Sequence, residues 1–173
     1  MAEIINTYRQ SAGASRFIGK KYGDEDRVNG GFSEQWCQWF ADGLFEIVEK
    51  QKEGNVGEVC EDDGAYIGLM RWKCGEPFEY WIGIFMPENT TIPDGFDFID
   101  FPKKELGVCW VYGKDNEVYM QEENCAAKLK EEGFELAVDE KGARWFFERY
   151  GCPRFTTPDE KGNVILDICH HIK

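Results

Sequence analysis

The sequence predicts an α+β fold: duplicated strand-helix-strand-strand modules, an antiparallel sheet, and a ligand groove at the seam between the modules. Three observations carry this. A strong apolar stripe at helical spacing lies between runs that read as strands. The same order of elements recurs after a linker with two prolines. Half a sheet with one helix buries only one face, so two such halves must pack sheet to sheet or pair edge to edge. The expected organisation is a single domain over 1–173, with one half at about 15–86, a linker at 87–95 and a second half at about 96–173.

The first dozen residues read as a frayed lead-in. SRFIGKKY (15–22) supplies a first strand, followed by a loop dense in Gly, Asp and Asn. Ser33 is placed to cap the next helix through its hydroxyl. There Trp36, Trp39, Phe40, Gly43, Leu44, Ile47 and Val48 fall on one face, which predicts a helix over about 33–51, ended by Gly54 and Gly57. AYIGLMRW (65–72) and FEYWIGIFM (78–86), joined by a turn at CGEP, form a hairpin. The second run is apolar on both parities, as a strand buried on both faces would be.

After the linker, 96–101 is short and aromatic. LGVCWVY alternates, placing Leu106, Val108, Trp110 and Tyr112 on one side. A weaker helix spans 119–132, with Met120, Cys125, Ala126 and Leu129 apolar and Gly133 as its stop. Runs at 134–138, 144–150 and 164–172 read as strands, with a loop before the last.

The net charge is −13, the wrong sign for a phosphate-backbone binder or for a protein drawn to anionic membranes. The expected ligand is an aromatic or cationic small molecule; a protein partner is also compatible with this charge. Aromatic residues make up 15 % of the chain, which excludes a disordered acidic tail. No apolar run is long enough to span a membrane and no secretion signal is written at the start, so a cytoplasmic protein is expected. The seven cysteines include no Cys-x-x-Cys pair and read as reduced thiols, several as small core hydrophobes. The acidic cluster Glu58, Glu61, Asp62 and Asp63 lacks calcium-loop spacing and reads as a solvated loop. Neighbouring positions on a strand face opposite ways, so His170 and His171 cannot chelate one metal together. Phosphate-loop, dinucleotide, zinc-protease and nucleophile-elbow motifs are missing, and no cofactor or metal is expected.

Glu148 stands out within WFFERY. Alternation puts Phe146, Glu148 and Tyr150 on one face and Trp145, Phe147 and Arg149 on the other. A carboxylate among aromatics is costly to bury without a partner or a purpose. Desolvation would raise its pKa toward the range of a general base, and aromatic walls would help it hold a cation. The alternative is a surface pairing with Arg144, Arg149 or Arg154. Candidate pocket residues are Trp110, Tyr112, Trp145, Phe147, Tyr80 and Trp39, with Glu79 as a second groove carboxylate. Trp36 and Trp39 lie on the packed helix face, where a core role is the better reading; for Glu79 a solvent-facing strand position is the better reading.

GKKYGDEDRVNGGF (19–32), FEYWIGIF (78–85), IPDGFDFIDFP (92–102), LGVCWVYG (106–113) and WFFERYGCPRFTTPDEKGNVILDI (145–168) together resemble the GyrI-like small-molecule-binding family, whose domain is also fused to AraC-type and MerR-type regulators. The resemblance runs from about residue 15 to the end and implies a pseudo-twofold pair of modules around a groove for drug-like aromatics. It also implies an acidic residue near the C-terminus, matched by Glu148 within Phe147, Glu148, Arg149 and Tyr150. The chain carries no helix-turn-helix segment, which departs from the regulators. A stand-alone binder, sequestering protein or gyrase-modulating partner is one implied function. Another is a cofactor-free hydrolase of cyclopropane-bearing xenobiotics, with Glu148 as general base and Tyr150 or Trp110 as donor.

Overall fold

The computed structural model describes residues 1–52, 64–151 and 153–173. The acidic cluster at 58–63, the glycines 54 and 57, Cys60 and Cys152 lie outside the described residues. In chain order the strands are β1 (Glu3–Ala12), β2 (Ser15–Tyr22), β3 (Tyr66–Trp72), β4 (Glu79–Pro87), β5 (Asp97–Phe101), β6 (Lys104–Gly113), β7 (Arg144–Tyr150) and β8 (Val164–Ile172). The helices are α1 (Ser33–Ala41), α2 (Leu44–Glu49), α3 (Glu122–Glu131) and the single turn α4 (Pro153–Thr156).

All eight strands join one antiparallel sheet in the order β1-β6-β8-β7-β3-β4-β2-β5. Strands from residues 15–87 and strands from residues 104–172 pair edge to edge within it. β3 meets β7 at the centre, with Gly68 opposite Glu148. The two edge strands pair with distant parts of the chain: β1 covers the outer edge of β6, and β5 covers the outer edge of β2.

The sheet curls strongly. Phe101 on the edge strand β5 lies 5.1 Å from Trp145 on β7 and 5.5 Å from His171 on β8, ring centre to ring centre. In strand order β8 is five strands from β5, and flat strands spaced about 4.8 Å apart would put them about 24 Å apart. The concave face therefore closes on itself around Phe17, Leu69, Phe85, Val108, Phe147 and Cys169. The convex face carries the helices in two cores. One gathers Ile18, Trp39, Phe45, Ile82 and Phe146 under α1 and α2. The other gathers Cys109, Val111, Cys125, Leu129 and Ile168 under α3. The double-sided burial expected of the 78–86 run follows, since β4 lends Trp81 and Phe85 to the concave core and Tyr80, Ile82 and Ile84 to the convex one.

Several expectations need correction. The first dozen residues are not frayed. They form β1, whose inward positions include Tyr8 and Gln10, so its period does not read as apolar alternation. The stripe at 33–51 is two helices and a 3-10 turn, because Gly43 takes a left-handed conformation (φ 64°) between α1 and α2. Ser33 does not cap. The cap position is Phe32, without a side-chain bond, and its ring stacks on Tyr80 at 4.1 Å, seating the helix start by apolar contact. Residues 134–138 are not a strand. β8 is already flanked by β6 and β7, so only its last residues remain reachable, through a bridge from Leu136 to Ile172 and a bond from the Ala137 N–H to the His171 carbonyl. The second helix begins at Glu122 rather than 119, leaving Tyr119 and Met120 before it, and Gly133 (φ 89°) follows its end as expected.

Candidate functional site

The site forms where the two halves meet, on the convex face. Glu148 stands at the middle of β7, is 6 % exposed, and accepts a hydrogen bond from the Tyr150 hydroxyl at 2.7 Å. The glycine opposite makes room for it. A Cβ on Gly68 would lie 2.6 Å from the Tyr80 hydroxyl oxygen and 3.2 Å from Glu148 Oε2. Tyr80, from β4, accepts a bond from Trp36 Nε1 of α1 at 2.9 Å. Trp36 also sets its ring edge-on to Tyr150 at 5.0 Å. The first half thus contributes Phe32, Trp36 and Tyr80.

The second half supplies another acid. Glu122, the first residue of α3, is in hydrogen-bonding reach of the Glu148 carboxyl. Its backbone carbonyl lies 3.0 Å from His170 Nε2, and the His170 ring stacks on Phe146 at 5.1 Å. A carbonyl only accepts, so Nε2 carries the proton there. Burial holds His170 down at about 4, keeping it neutral. Tyr119 packs 6.3 Å from Tyr150 and donates to Asp115 at 2.7 Å.

The electrostatics are unusual for an acid this deep. Burial, and then the neighbouring charge of Glu122, push Glu148 up to about 8. Burial also raises Glu122. Tyr80 and Tyr150 are held well above the usual phenol range by burial and by the Glu148 charge, so both remain donors. Among the described residues no salt bridge reaches either acid. The arginines that could have paired with Glu148 point elsewhere: Arg149 and Arg154 to Asp167, Arg144 to Glu123. Such a cluster can take a cation, which restores the missing charge among aromatic walls, or it can hold and release a proton.

Of the residues expected at a site, Glu148, Tyr150 and Tyr80 come together. The others do not reach them. Trp39 is fully buried beneath the helices and donates to the Tyr22 hydroxyl at 2.9 Å. Phe147 belongs to the concave core. Trp145, on that same face, donates to Asp139 at 2.9 Å and lines a cavity of about 190 Å³ with Phe101, Val138 and His171. Trp110 is in edge contact with Tyr8 at 5.9 Å, beneath the Arg154 guanidinium at 5.0 Å. Tyr112 donates to Asp159 at 2.7 Å. Glu79 accepts a bond from Trp81 Nε1 at 3.2 Å. Sequence reasoning missed Glu122, Phe32 and Tyr119 and assigned Trp36 to the core. An acid in the first turn of a helix is the ordinary complement to the helix dipole, so Glu122 carried no signal of its own.

No family model matches the chain, and no curated protein matches it. Solved structures do. The chain is similar to SAV2435, solved bound to tetraphenylphosphonium, with a TM-score of 0.63 at 14 % identity over 98 % of this chain and 94 % of that one. It is similar to EcmrR, solved in complex with DNA, with a TM-score of 0.58 at 11 % identity over 97 % of this chain and 57 % of that one. It is also similar to a hydrolase from Listeria innocua, with a TM-score of 0.53 at 10 % identity over 97 % of this chain and 92 % of that one. At these identities the likeness is one of fold, and the α+β fold shared with SAV2435 and EcmrR agrees with the effector-binding fold that the GyrI-like resemblance implies.

Proposed function

We propose that the seam is a binding groove for aromatic small molecules, cationic ones above all, with Glu148 as the counter-charge. The observation that carries this is the buried acid itself: a carboxylate among Trp36, Tyr80 and Tyr150, with no cationic side chain paired to it among the described residues. An unpaired buried charge is expensive, and a ligand cation between aromatic rings relieves that cost. The tetraphenylphosphonium bound by SAV2435 is a ligand of this chemistry. Matching modules on either side of the β3–β7 seam would give the groove a wall from each half; β3-β4-β2 and β7-β8-β6 follow the same strand order, in support of an internal duplication.

A second reading is hydrolysis, favoured by the Glu148 carboxyl being poised at about 8 and oriented by the Tyr150 hydroxyl at 2.7 Å. Ionised Glu148 takes a proton from water as the oxygen bonds to a strained cyclopropane carbon. The ring C–C bond breaks, its electron pair moves onto a conjugated carbonyl, and a tyrosine hydroxyl stabilises that oxyanion until it is protonated. Tyr80 suits this donor role, because its oxygen accepts from Trp36 while its own proton stays available to the groove. The test is mass spectrometry of the protein with aromatic compounds, among them tetraphenylphosphonium and a spirocyclopropane alkylator, beside Glu148→Gln. Retention of unchanged cations, weakened at least tenfold by the substitution, is the expected result. Catalytic gain of one water, lost in the variant, would establish the hydrolase instead. Failure to retain or convert any compound would sink both.

A further inference from the structure

We propose that the cavity beside Trp145 and His171 is a second ligand site, suited to an uncharged single-ring molecule with one hydroxyl, of which phenol is the simplest. It lies across the sheet from the seam, since Trp145 belongs to the concave core and Glu148, three residues on along β7, faces the other way. An apolar cavity of about 150 Å³ is enough to take up benzene. This one, at about 190 Å³, has room for a ring and a substituent. Its walls are chiefly rings and aliphatic side chains. Phe101 meets Trp145 at 5.1 Å and His171 at 5.5 Å, with Ile172 and Val138 beside them. The segment bearing Val138 is tied to β8 by the Ala137 N–H, which donates to the His171 carbonyl at 2.9 Å.

The polar groups of the lining differ in what they have left to give. Asp139 accepts from the Lys141 and Ala143 N–H groups at 2.8 and 2.9 Å through one oxygen, and from Trp145 Nε1 at 2.9 Å through the other. Trp145 has thereby used its one donor and presents its ring. The Lys104 ammonium lies 5.0 Å from the Phe101 ring centre and 5.2 Å from that of Phe85. His171 Nε2, in contrast, is buried and has no hydrogen-bond partner among the described residues. Burial, and then the Lys104 charge, hold this imidazole down at about 3, so it is neutral. One nitrogen of a neutral imidazole donates and the other accepts. A hydroxyl answers Nε2 in either tautomer, because it can do both, and the bond it makes removes the cost of a buried nitrogen left unpaired. The ligand's charge follows from the same lining. A cation would meet Lys104 and an anion would meet Asp139, so a neutral molecule fits best.

The experiment is an NMR titration of the full chain with phenol and, separately, with toluene, which has the same shape without the hydroxyl. The His171 ring nitrogens and the Trp145 indole N–H are followed. Saturable phenol binding that moves both signals is expected, with a dissociation constant of about 1 mM or below. His171→Phe keeps a ring beside Phe101 and removes the nitrogen, so the ratio of phenol to toluene affinity should fall about fivefold or more. A merely structural His171 would change both affinities alike. Val138→Trp, at a position 58 % exposed, fills the cavity from its rim without entering the core and should abolish binding of both compounds. This second variant decides the matter even where His171→Phe does not fold. An unchanged affinity ratio in His171→Phe would overturn the hydroxyl recognition. Phenol binding that survives Val138→Trp, or no saturable shift at His171, would overturn the site.

Discussion

Glu148 and Arg149 are neighbours on β7, yet they serve opposite electrostatic regimes. On the convex face Glu148 is an acid beside another acid, ringed by hydroxyls and aromatic rings. On the concave face Arg149, 2 % exposed, gives Nε and Nη2 to Asp167 at 2.9 and 2.6 Å and Nη1 to Gln10 at 3.0 Å, while Arg154 also reaches Asp167. One buried carboxylate has two guanidinium partners; the other, among the described residues, has none. The concave network holds β1, β7, β8 and α4 together. The convex acids, Glu148 on β7 and Glu122 at the start of α3, have no such partners among the described residues. A charge fully paired inside the protein fixes structure, whereas one left to be completed from outside suits a ligand.

Three substitutions would break or sharpen this contrast. The largest effect is expected at Asp167→Asn, which removes the charge that both guanidinium groups share. A loss of about 4 kcal/mol in urea unfolding follows from leaving a buried pair half-made. A loss below about 1 kcal/mol would mean the concave network is not structural. Glu148 should behave in the opposite sense. Its folded pKa, about 8, lies above its ordinary value of 4.5, so the native state binds its proton more tightly than the unfolded chain. Stability from this group is complete below about pH 4.5 and declines as pH rises toward 8. Glu148→Gln should therefore flatten the fall over that window and gain about 3 kcal/mol near pH 8. A variant that is less stable than wild type at pH 8 would contradict the unpaired acid. The smallest effect belongs to Gly68→Ala, whose methyl would press on the Tyr80 hydroxyl; about 2 kcal/mol is expected from overpacking, with weaker tetraphenylphosphonium binding. Unchanged affinity would place the ligand away from Gly68.

The parts of the molecule that sequence made legible are those where side chains obey one period. Alternation along WFFERY placed Glu148 and Tyr150 together and Arg149 opposite, and the structure keeps that division. The 65–72 and 78–86 runs pair as a hairpin. Aromatic content was less instructive, because Trp110, Tyr112, Trp145 and Phe147 are of the right types but share a face with one another rather than with Glu148. Alternation tells which residues share a face of one strand; it does not say which face of the next strand lies beside it. That depends on register, and only the register sets Gly68 opposite Glu148. Glu122 was illegible for another reason. Its role comes from where α3 starts, and the apolar pattern placed that start at 119, three residues too early.

The crossing of the outer strands also governs how this chain can be made. β1 is synthesised before β2, but its partner β6 follows about a hundred residues later, as the pairing of Glu3 with Tyr112 requires. Until then the Tyr8 and Gln10 side chains have no sheet to enter, and the edge of β2 must likewise wait for β5. Long-range pairing of this kind slows folding because the loop must close before contacts repay it. It also means that a ribosome-bound first half cannot assemble the groove: its second wall, α3, and the strand bearing Glu148 are still to come. A partly made chain therefore lacks the proposed ligand site, and under that proposal ligand would stabilise only molecules in which β3 and β7 have already paired.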